Sequence, residues 1–278
     1  MTLDPTPVLD RPLLLVGCGK MGGAMLQGWL RDGLAPGLAQ VVEPAGLPDL
    51  AARGVHVHGD LAAVPADLDP GAVVVAVKPQ TMDKILPGLA PLVSSRSLVL
   101  SIAAGKRLSL FEKAFGAGVP IVRAMPNTPA AVGRGMTVLV AGTAAGEAER
   151  ALAARLCAAV GAVGWVDDEG QIDVVTALSG GGPAYVFLLI EVLAKAGEAQ
   201  GLPADLAMRL ARETVTGSGE LARLSDEPAA QLRRNVTSPA GTTERALNVL
   251  MADDGLQPLF DRAIAAATAR SRELAGDA

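Results

Sequence analysis

The chain has 278 residues, half of them hydrophobic, and a mean hydropathy of +0.36, enough apolar material to bury a sizeable core and build two domains. A formal net charge of −5, with no run of Lys or Arg, argues against nucleic acid or an anionic membrane surface as partner. Two cysteines, Cys18 and Cys157, stand in neither a CxxC nor a CxxH spacing, which argues against a disulfide framework or a zinc site and fits core or turn thiols in a reducing cytoplasm.

Met1 to Pro12 carries Asp4, Asp10 and several prolines without an apolar stretch, so no signal peptide is expected. Leu13–Val16 then reads as a strand that breaks into Gly17-Cys18-Gly19-Lys20-Met21-Gly22, with a helix-like segment from Gly23 to Leu30 behind it. That is the layout of a dinucleotide site: Gly17 makes the tight turn, Gly19 leaves room for a pyrophosphate, and Gly22 lets helix and strand approach. The helix start offers unpaired N–H groups and a partial positive charge. The alternative is a plain strand-to-helix turn without ligand; the flanking strand and helix and a second strand ending at Val41-Val42-Glu43 favour the site. Glu43 lies about twenty residues beyond the turn, where a carboxylate bonds adenosine ribose hydroxyls and repels a 2′-phosphate. No Lys or Arg occurs from Asp32 to Ala52, and Arg53 would have to reach back. NADH is therefore expected to serve at least as well as NADPH, unless Glu43 points to solvent.

Further apolar runs at Val55–His58, Val73–Val77, Leu98–Ile102, Ile121–Arg123 and Met136–Val140 read as strands, several buried on both faces, with helix-like stretches between most of them. They predict an α/β fold, an N-terminal Rossmann domain with a doubly wound, mostly parallel sheet. After Gly142 the pattern turns helical: Ala144–Val160, Gln171–Leu178, Ala184–Gln200, Asp205–Leu224, Thr242–Met251 and Leu256–Leu274. The boundary falls at about Val166, giving a dinucleotide-binding domain over 11–166 and an all-α dimerisation and substrate domain over 167–278. Helices 184–200 and 205–224 are too apolar for a monomer's surface, which implies a homo-oligomer. Tyr185 to Ala194, interrupted by Glu191, is too short to span a bilayer.

Four segments concentrate glycine, proline and small polar residues. Ala76-Val77-Lys78-Pro79-Gln80 and Arg123-Ala124-Met125-Pro126-Asn127-Thr128-Pro129-Ala130 follow buried strands, at the sheet edge where open α/β folds bind ligands. Lys78 and Asn127 read singly as turn or surface residues, and together as groups reaching a phosphate, ribose or carboxamide. Ala177-Leu178-Ser179-Gly180-Gly181-Gly182-Pro183-Ala184-Tyr185 reads as a helix end, a flexible turn and a new helix opened by Pro183, with close helix packing the favoured role for Gly180 to Gly182. Val236-Thr237-Ser238-Pro239-Ala240-Gly241-Thr242-Thr243-Glu244 reads either as an anion-binding helix start or as an ordinary N-cap by Thr242 or Thr243.

In this order and at these spacings, GCGKMG, AVKPQ, MPNTPA, SGGGPAYVF and VTSPAGTT make the chain resemble the pyrroline-5-carboxylate reductase family over nearly its whole length, Leu13 to Leu274. The resemblance implies reduction of (S)-1-pyrroline-5-carboxylate to L-proline by NADPH or NADH, in a cytoplasmic dimer or a decamer of dimers. By that resemblance cofactor contacts are expected at Val16, Gly17, Cys18, Gly19, Lys20 and Met21, at Ala76, Val77, Lys78 and Pro79, at Ile102, Ala103 and Ala104, and at Asn127 beside the nicotinamide ribose; Gly22 and Glu43 join them from the reading of the turn and the second strand, where many members of the family carry small hydroxyls or a basic residue instead of Glu43. Thr243 matches the threonine that bonds the ring nitrogen, and Ser238, Gly241 and Thr242 match the carboxylate cradle. Ala240 stands where the family usually has glycine and Gly181 where it usually has serine.

The scarcity of acid and base groups agrees. The only histidines, His56 and His58, lie in the region of the second crossover, far in topology from the substrate loop. A hydroxy-acid dehydrogenase needs a side chain to move the alcohol proton, whereas a cyclic imine can arrive protonated and needs mainly alignment. A β-hydroxyacid dehydrogenase fits less well, because Lys195 lies thirteen residues after Gly182 and that family sets its lysine only a few residues beyond the glycines. A non-catalytic dinucleotide sensor would have no need of a carboxylate cradle.

Overall fold

The structure, a computed structural model, describes residues 9–276; the expectation about Met1 to Pro12 falls largely outside them. Two compact units emerge, one comprising residues up to Gly180 together with those from Thr268 onward, the other Gly181–Ala267. The contact break thus comes later than the change of composition near Val166.

In the first unit the chain runs β1 (Leu13–Val16), α1 (Lys20–Arg31), β2 (Ala39–Val42), α2 (Pro48–Ala51), β3 (His56–His58), β4 (Ala72–Val75), α3 (Met82–Leu89), β5 (Leu98–Ser101), α4 (Leu108–Phe115), β6 (Ile121–Met125), β7 (Gly135–Ala141), α5 (Glu147–Ala158), β8 (Gly161–Trp165) and α6 (Gln171–Val175). The eight strands form one sheet in the order β3-β2-β1-β4-β5-β6-β7-β8. β1 is central and pairs in parallel with β2 (Leu13 opposite Ala39) and β4 (Leu13 opposite Ala72). All four residues in each of β1, β2, β4 and β5 are buried, as strands covered on both faces must be. Alternate residues feed two cores: Leu13, Leu15 and Val74 join α1 and α5 on one face, while Leu14, Val73 and Val75 join α3 and α4 on the other.

The last two strands depart from the simple alternating pattern. β7 runs antiparallel to β6, with Val122 opposite Ala141, because a single short turn over Thr128–Val132 joins them and an antiparallel return needs no crossover helix. β8 lies within the stretch around Val160 to Val166 that carried no strand expectation; it pairs in parallel with β7. Its first residue, Gly161, has φ +152, and a Cβ there would fall 1.9 Å from the Gly135 oxygen, so only glycine allows this pairing. α1 docks on the end of α5: the Trp29 Nε1–H donates to the Leu156 carbonyl at 2.7 Å and Arg31 Nη2 to the Ala159 carbonyl at 2.6 Å, satisfying carbonyls that a helix terminus leaves open.

The expected helix Gln171–Leu178 is α6 followed by a π-helical turn over Thr176–Gly180. The flexible turn expected before Pro183 is reduced to a bend at Gly181, after which α7 (Gly182–Ala199) begins. A methyl at Gly180 would come 2.6 Å from Met125 Cε, whereas one at Gly182 would meet nothing within 4 Å. Close packing therefore explains Gly180 and not Gly182.

The second unit holds α7, α8 (Ala204–Leu224), α9 (Ala229–Asn235), α10 (Thr242–Leu250) and most of α11 (Leu256–Ala275). α9 was not anticipated; its seven residues carry too few apolar positions to show a period. α7 and α8 pack along each other, yet Phe187 stays 60% exposed and Leu188 56%. Leu188, Leu189 and Val192 of α7 face Leu256, Leu259 and Phe260 of α11 across an open apolar groove of about 350 Å³. A helical run over Gln171–Ala199 is also long and apolar enough to cross a membrane by length and composition alone; judging only Tyr185 to Ala194 understated it.

Burial pushes the Cys157 thiol up to about 12 from its ordinary 9.0, so the folded chain keeps it neutral over a range where the unfolded chain ionises it. Its stabilising share is complete below pH 9 and is lost as pH rises from 9 toward 12. The urea midpoint of the wild type should therefore exceed that of Cys157→Ala by a constant margin below pH 9 that narrows above it; a margin independent of pH would contradict this.

Candidate active site

The glycine turn is wedged between strand ends. The Gly17 N–H donates to the Val42 carbonyl at 2.9 Å, and the Ala76 N–H to the Val16 carbonyl at 2.8 Å. Gly17 has φ +92, and a Cβ there would lie 2.9 Å from the Ala76 oxygen; a Cβ on Gly22 would lie 2.4 Å from the Gly17 oxygen. Both positions are closed to any side chain. Gly19 is the opposite case, with nothing within 4 Å of its Cβ direction. It also caps α1 without a side-chain hydrogen bond, and the first turn of α1 carries no acidic residue. The first amides of α1 are thus available to an anion, with open space in front of them.

Glu43, immediately after β2, turns inward. One carboxylate oxygen accepts from the Cys18 N–H at 2.9 Å and the other from the Ala45 N–H at 3.3 Å, so the solvent-facing alternative does not hold. Burial, helped by the negative charge of Glu43, raises the Cys18 thiol to about 11, which keeps it neutral and unreactive near pH 7. Arg53 donates to Gln27 Oε1 at 3.0 Å and does not line the cleft.

An open cleft of about 820 Å³ lies at the C-terminal ends of β1 to β4, the edge where open α/β sheets bind ligands. Of the expected residues, Val16, Gly17, Gly19, Glu43, Ala76, Val77 and Lys78 line it. Cys18, Lys20, Met21 and Gly22 form the rest of the turn and the start of α1, and Pro79 opens a short turn over Pro79–Thr81. Ile102, Ala103 and Ala104 follow β5 at the same edge, the Ala103 N–H bonded to Ser101 Oγ at 3.3 Å. Reading the sequence missed Gly59 to Ala62, Thr81, Lys84 and Ile85, which also line the cleft. Their signal was positional, since they follow the ends of β3 and β4. Asn127 is committed elsewhere: its Nδ2 donates to the Ser179 carbonyl at 3.2 Å and to Ser179 Oγ at 3.3 Å, and its Oδ1 accepts from the Met136 N–H at 2.8 Å. It braces the β6–β7 connection.

In the second unit, the segment before α10 presents a different geometry. Ala240 is the one non-glycine at positive φ among the described residues, at +55, so this chain carries a Cβ in a left-handed position at a cost of about 1–2 kcal/mol. The Ala240 N–H donates to Glu244 Oε2 at 2.8 Å and the Gly241 N–H to the Ser238 carbonyl at 3.0 Å. The helix is capped by Gly241 with no side-chain bond, which corrects the alternative of an N-cap by Thr242 or Thr243; Glu244, reaching back, takes that part. Ser238 and Thr242 are exposed and Thr243 half-buried. A Cβ on Gly241 would lie 2.9 Å from the Ser238 oxygen, so the tight turn requires glycine there.

A relative from Pseudomonas aeruginosa bearing the name pyrroline-5-carboxylate reductase is 39% identical over 95% of this chain and 96% of its own length. The chain belongs to the pyrroline-5-carboxylate reductase family. The family model for pyrroline-5-carboxylate reductase dimerisation matches residues 169–274, and one described as NADP oxidoreductase coenzyme F420-dependent matches 13–105. Among solved structures, a pyrroline-5-carboxylate reductase from Coxiella burnetii superposes with a TM-score of 0.88 at 36% identity, covering 96% of this chain and 99% of that one. The Plasmodium falciparum pyrroline carboxylate reductase with NADP bound gives 0.80 at 28%, covering 96% and 98%.

Since Gly19 faces open space, Gly19→Ala should keep the melting temperature of the wild type while weakening dinucleotide binding by about tenfold or more, because the added methyl occupies the approach to the α1 amides. Calorimetric titration with NADPH beside thermal denaturation checks this. Unchanged affinity would show that no ligand approaches there.

Proposed function

We propose that this chain reduces (S)-1-pyrroline-5-carboxylate to L-proline by hydride transfer from NADPH or NADH, the last step of proline biosynthesis. The observation that carries the reading is the pairing, in one chain of this family, of an unobstructed glycine turn with an α10 start whose hydroxyls cap nothing. Residues 11–166 are the dinucleotide-binding domain and 167–278 the helical dimerisation and substrate domain. The amides of Gly19 to Met21 hold the pyrophosphate at the start of α1, where Gly17 and Cys18 shape the turn with their own amides bonded to Val42 and Glu43; Glu43 takes the adenosine ribose, and Ala76 to Pro79 and Ile102 to Ala104 line the dinucleotide along the sheet edge. Asn127 stands beside the nicotinamide ribose, acting chiefly through the backbone it braces.

The reduced nicotinamide, when bound, supplies the hydride. The residues of the chain bind and align. The amides of Gly241 and Thr242, with Ser238, grip the substrate carboxylate, and Thr243 Oγ1 bonds the ring nitrogen. A protonated cyclic imine is already an electrophile, so no strong protein acid is required, and orientation supplies most of the barrier reduction, up to about 7–11 kcal/mol in ideal intramolecular models. Neither histidine is called upon: both lie on β3, and His58 Nε2 is paired with Gln40 Oε1 at 2.8 Å. A second copy of the chain covers the apolar faces of α7 and α11, and the dimer is the unit from which a decamer would be built. That use of the surface accounts for the apolar Gln171–Ala199 run without a membrane, and the protein works in the cytoplasm.

Purified protein should oxidise NADPH or NADH with pyrroline-5-carboxylate and not with small carbonyl acids; turnover confined to carbonyl substrates would overturn the reading. Because the Thr243 hydroxyl caps nothing, Thr243→Ala should lower kcat/KM about ten- to hundredfold with little change in melting temperature.

Glu43 bears on which nicotinamide is preferred. Its carboxylate is fixed against the turn, Asp60 also lines the cleft beyond β3, and the first cation after β2, Arg53, is turned to Gln27. A 2′-phosphate there would meet negative charge, so NADH should be used at least as well as NADPH. Glu43→Gln should shift the ratio of kcat/KM values toward NADPH; a tenfold preference for NADPH that this substitution leaves unaltered would contradict the assignment.

A further inference from the structure

A buried polar cluster in the first unit has no part in the chemistry above. Glu169 Oε1 accepts from Arg123 Nη1 at 2.8 Å and from the Leu108 N–H, the first amide of α4, also at 2.8 Å. Arg123 is 2% exposed, and its position on β6 directs it to the face that carries α4 and α6. Beside this pair, Asp173 of α6, 1% exposed, accepts from Ser271 Oγ of α11 at 2.6 Å and lies 3.8 Å from Arg107 Nη2. Arg107 is the N-cap residue of α4. Both charge pairs therefore converge on one point of the backbone, the junction where the segment after β5 enters α4.

That segment runs from Ile102 to Arg107. Its near end is held by the Ser101 hydroxyl on the Ala103 amide. Midway, Gly105 adopts φ +69 and turns toward α11, where the Leu274 backbone lies 3.5 Å from the Cβ direction. Its far end is held by Glu169 and, through Arg107, by Asp173 and Ser271. The last turns of α11, from Thr268 onward, thus belong to the same compact unit as this segment. Buried carboxylates and guanidinium groups are costly unless paired, so a cluster of this kind holds its elements in one arrangement.

We propose that Asp173 and Ser271 are positioning residues for the dinucleotide: by fixing the end of α11 to the entry of α4, they set the conformation of the Ile102–Ala104 segment against the cofactor. This rests on the reading of the sheet edge as the NAD(P)H site. The test is cofactor affinity without turnover, measured by calorimetric titration of NADPH and NADH into the wild type, Ser271→Ala, Ser271→Thr and Asp173→Asn, with melting temperature and kcat at saturating cofactor beside it. Ser271→Ala should raise Kd about two- to thirtyfold. Ser271→Thr, which keeps the hydroxyl, should restore Kd to within about twofold, with kcat at saturation equally close to the wild type. Asp173→Asn should weaken binding at least as much as Ser271→Ala. A lowered melting temperature with unchanged Kd in both Ser271→Ala and Asp173→Asn would overturn the proposal and leave the cluster a purely structural one. A wild type that binds neither dinucleotide would overturn the cofactor site itself, a result distinct from equal binding by wild type and variants.

Discussion

The approach of backbone to backbone around Gly17 and Gly22 is the constraint on which the rest of the first unit depends. With no Cβ at either position, the end of β1, the end of β4 and the start of α1 meet at distances that a methyl group would close. Two consequences follow. The helix begins directly over the sheet edge, so its unpaired amides face the cleft, and the hydrogen bonds from Gly17 to Val42 and from Cys18 to Glu43 tie β2 into the same corner. The carboxylate that would discriminate between cofactors is therefore positioned by the turn that would hold the pyrophosphate.

The same economy extends to the chemistry. The cleft holds two lysines and two carboxylates along its lining but no histidine, and the cysteine in the turn is held neutral by its surroundings. In the helical unit the tight loop into α10 stores strain at Ala240 and keeps its capping in the hands of Glu244, so that the hydroxyls of Thr242 and Thr243 stay uncommitted.

Much of this was legible in the sequence, for identifiable reasons. β1 and β4 are continuously apolar, and β2 and β5 each carry a single polar residue, Gln40 and Ser101, a composition that belongs in the middle of a covered sheet. The glycine spacing marked the turn, and the segments after β4 and β6 were legible as lying at the sheet edge where open α/β folds bind ligands. β8 escaped notice because its pairing depends on Gly161 approaching Gly135, a long-range contact that no local pattern announces. The motif around Asn127 pointed to a place beside the cofactor, but not to its hydrogen bonds with Ser179 and Met136, which depend on contacts across the fold. Glu169, Asp173 and Ser271 were invisible for the same reason: three polar residues on separate elements acquire meaning only when folding buries them together.

The claim at the centre of this account is that the glycine turn and the start of α1 form the cofactor site. A crystal structure of the protein with bound NADP+ or NAD+ tests it most directly. The account predicts pyrophosphate oxygens within hydrogen-bond reach of the amides of Gly19 to Met21, with the adenosine ribose beside Glu43. A dinucleotide bound away from the turn, or held there with its ribose remote from Glu43 and its phosphates off the α1 amides, would contradict it.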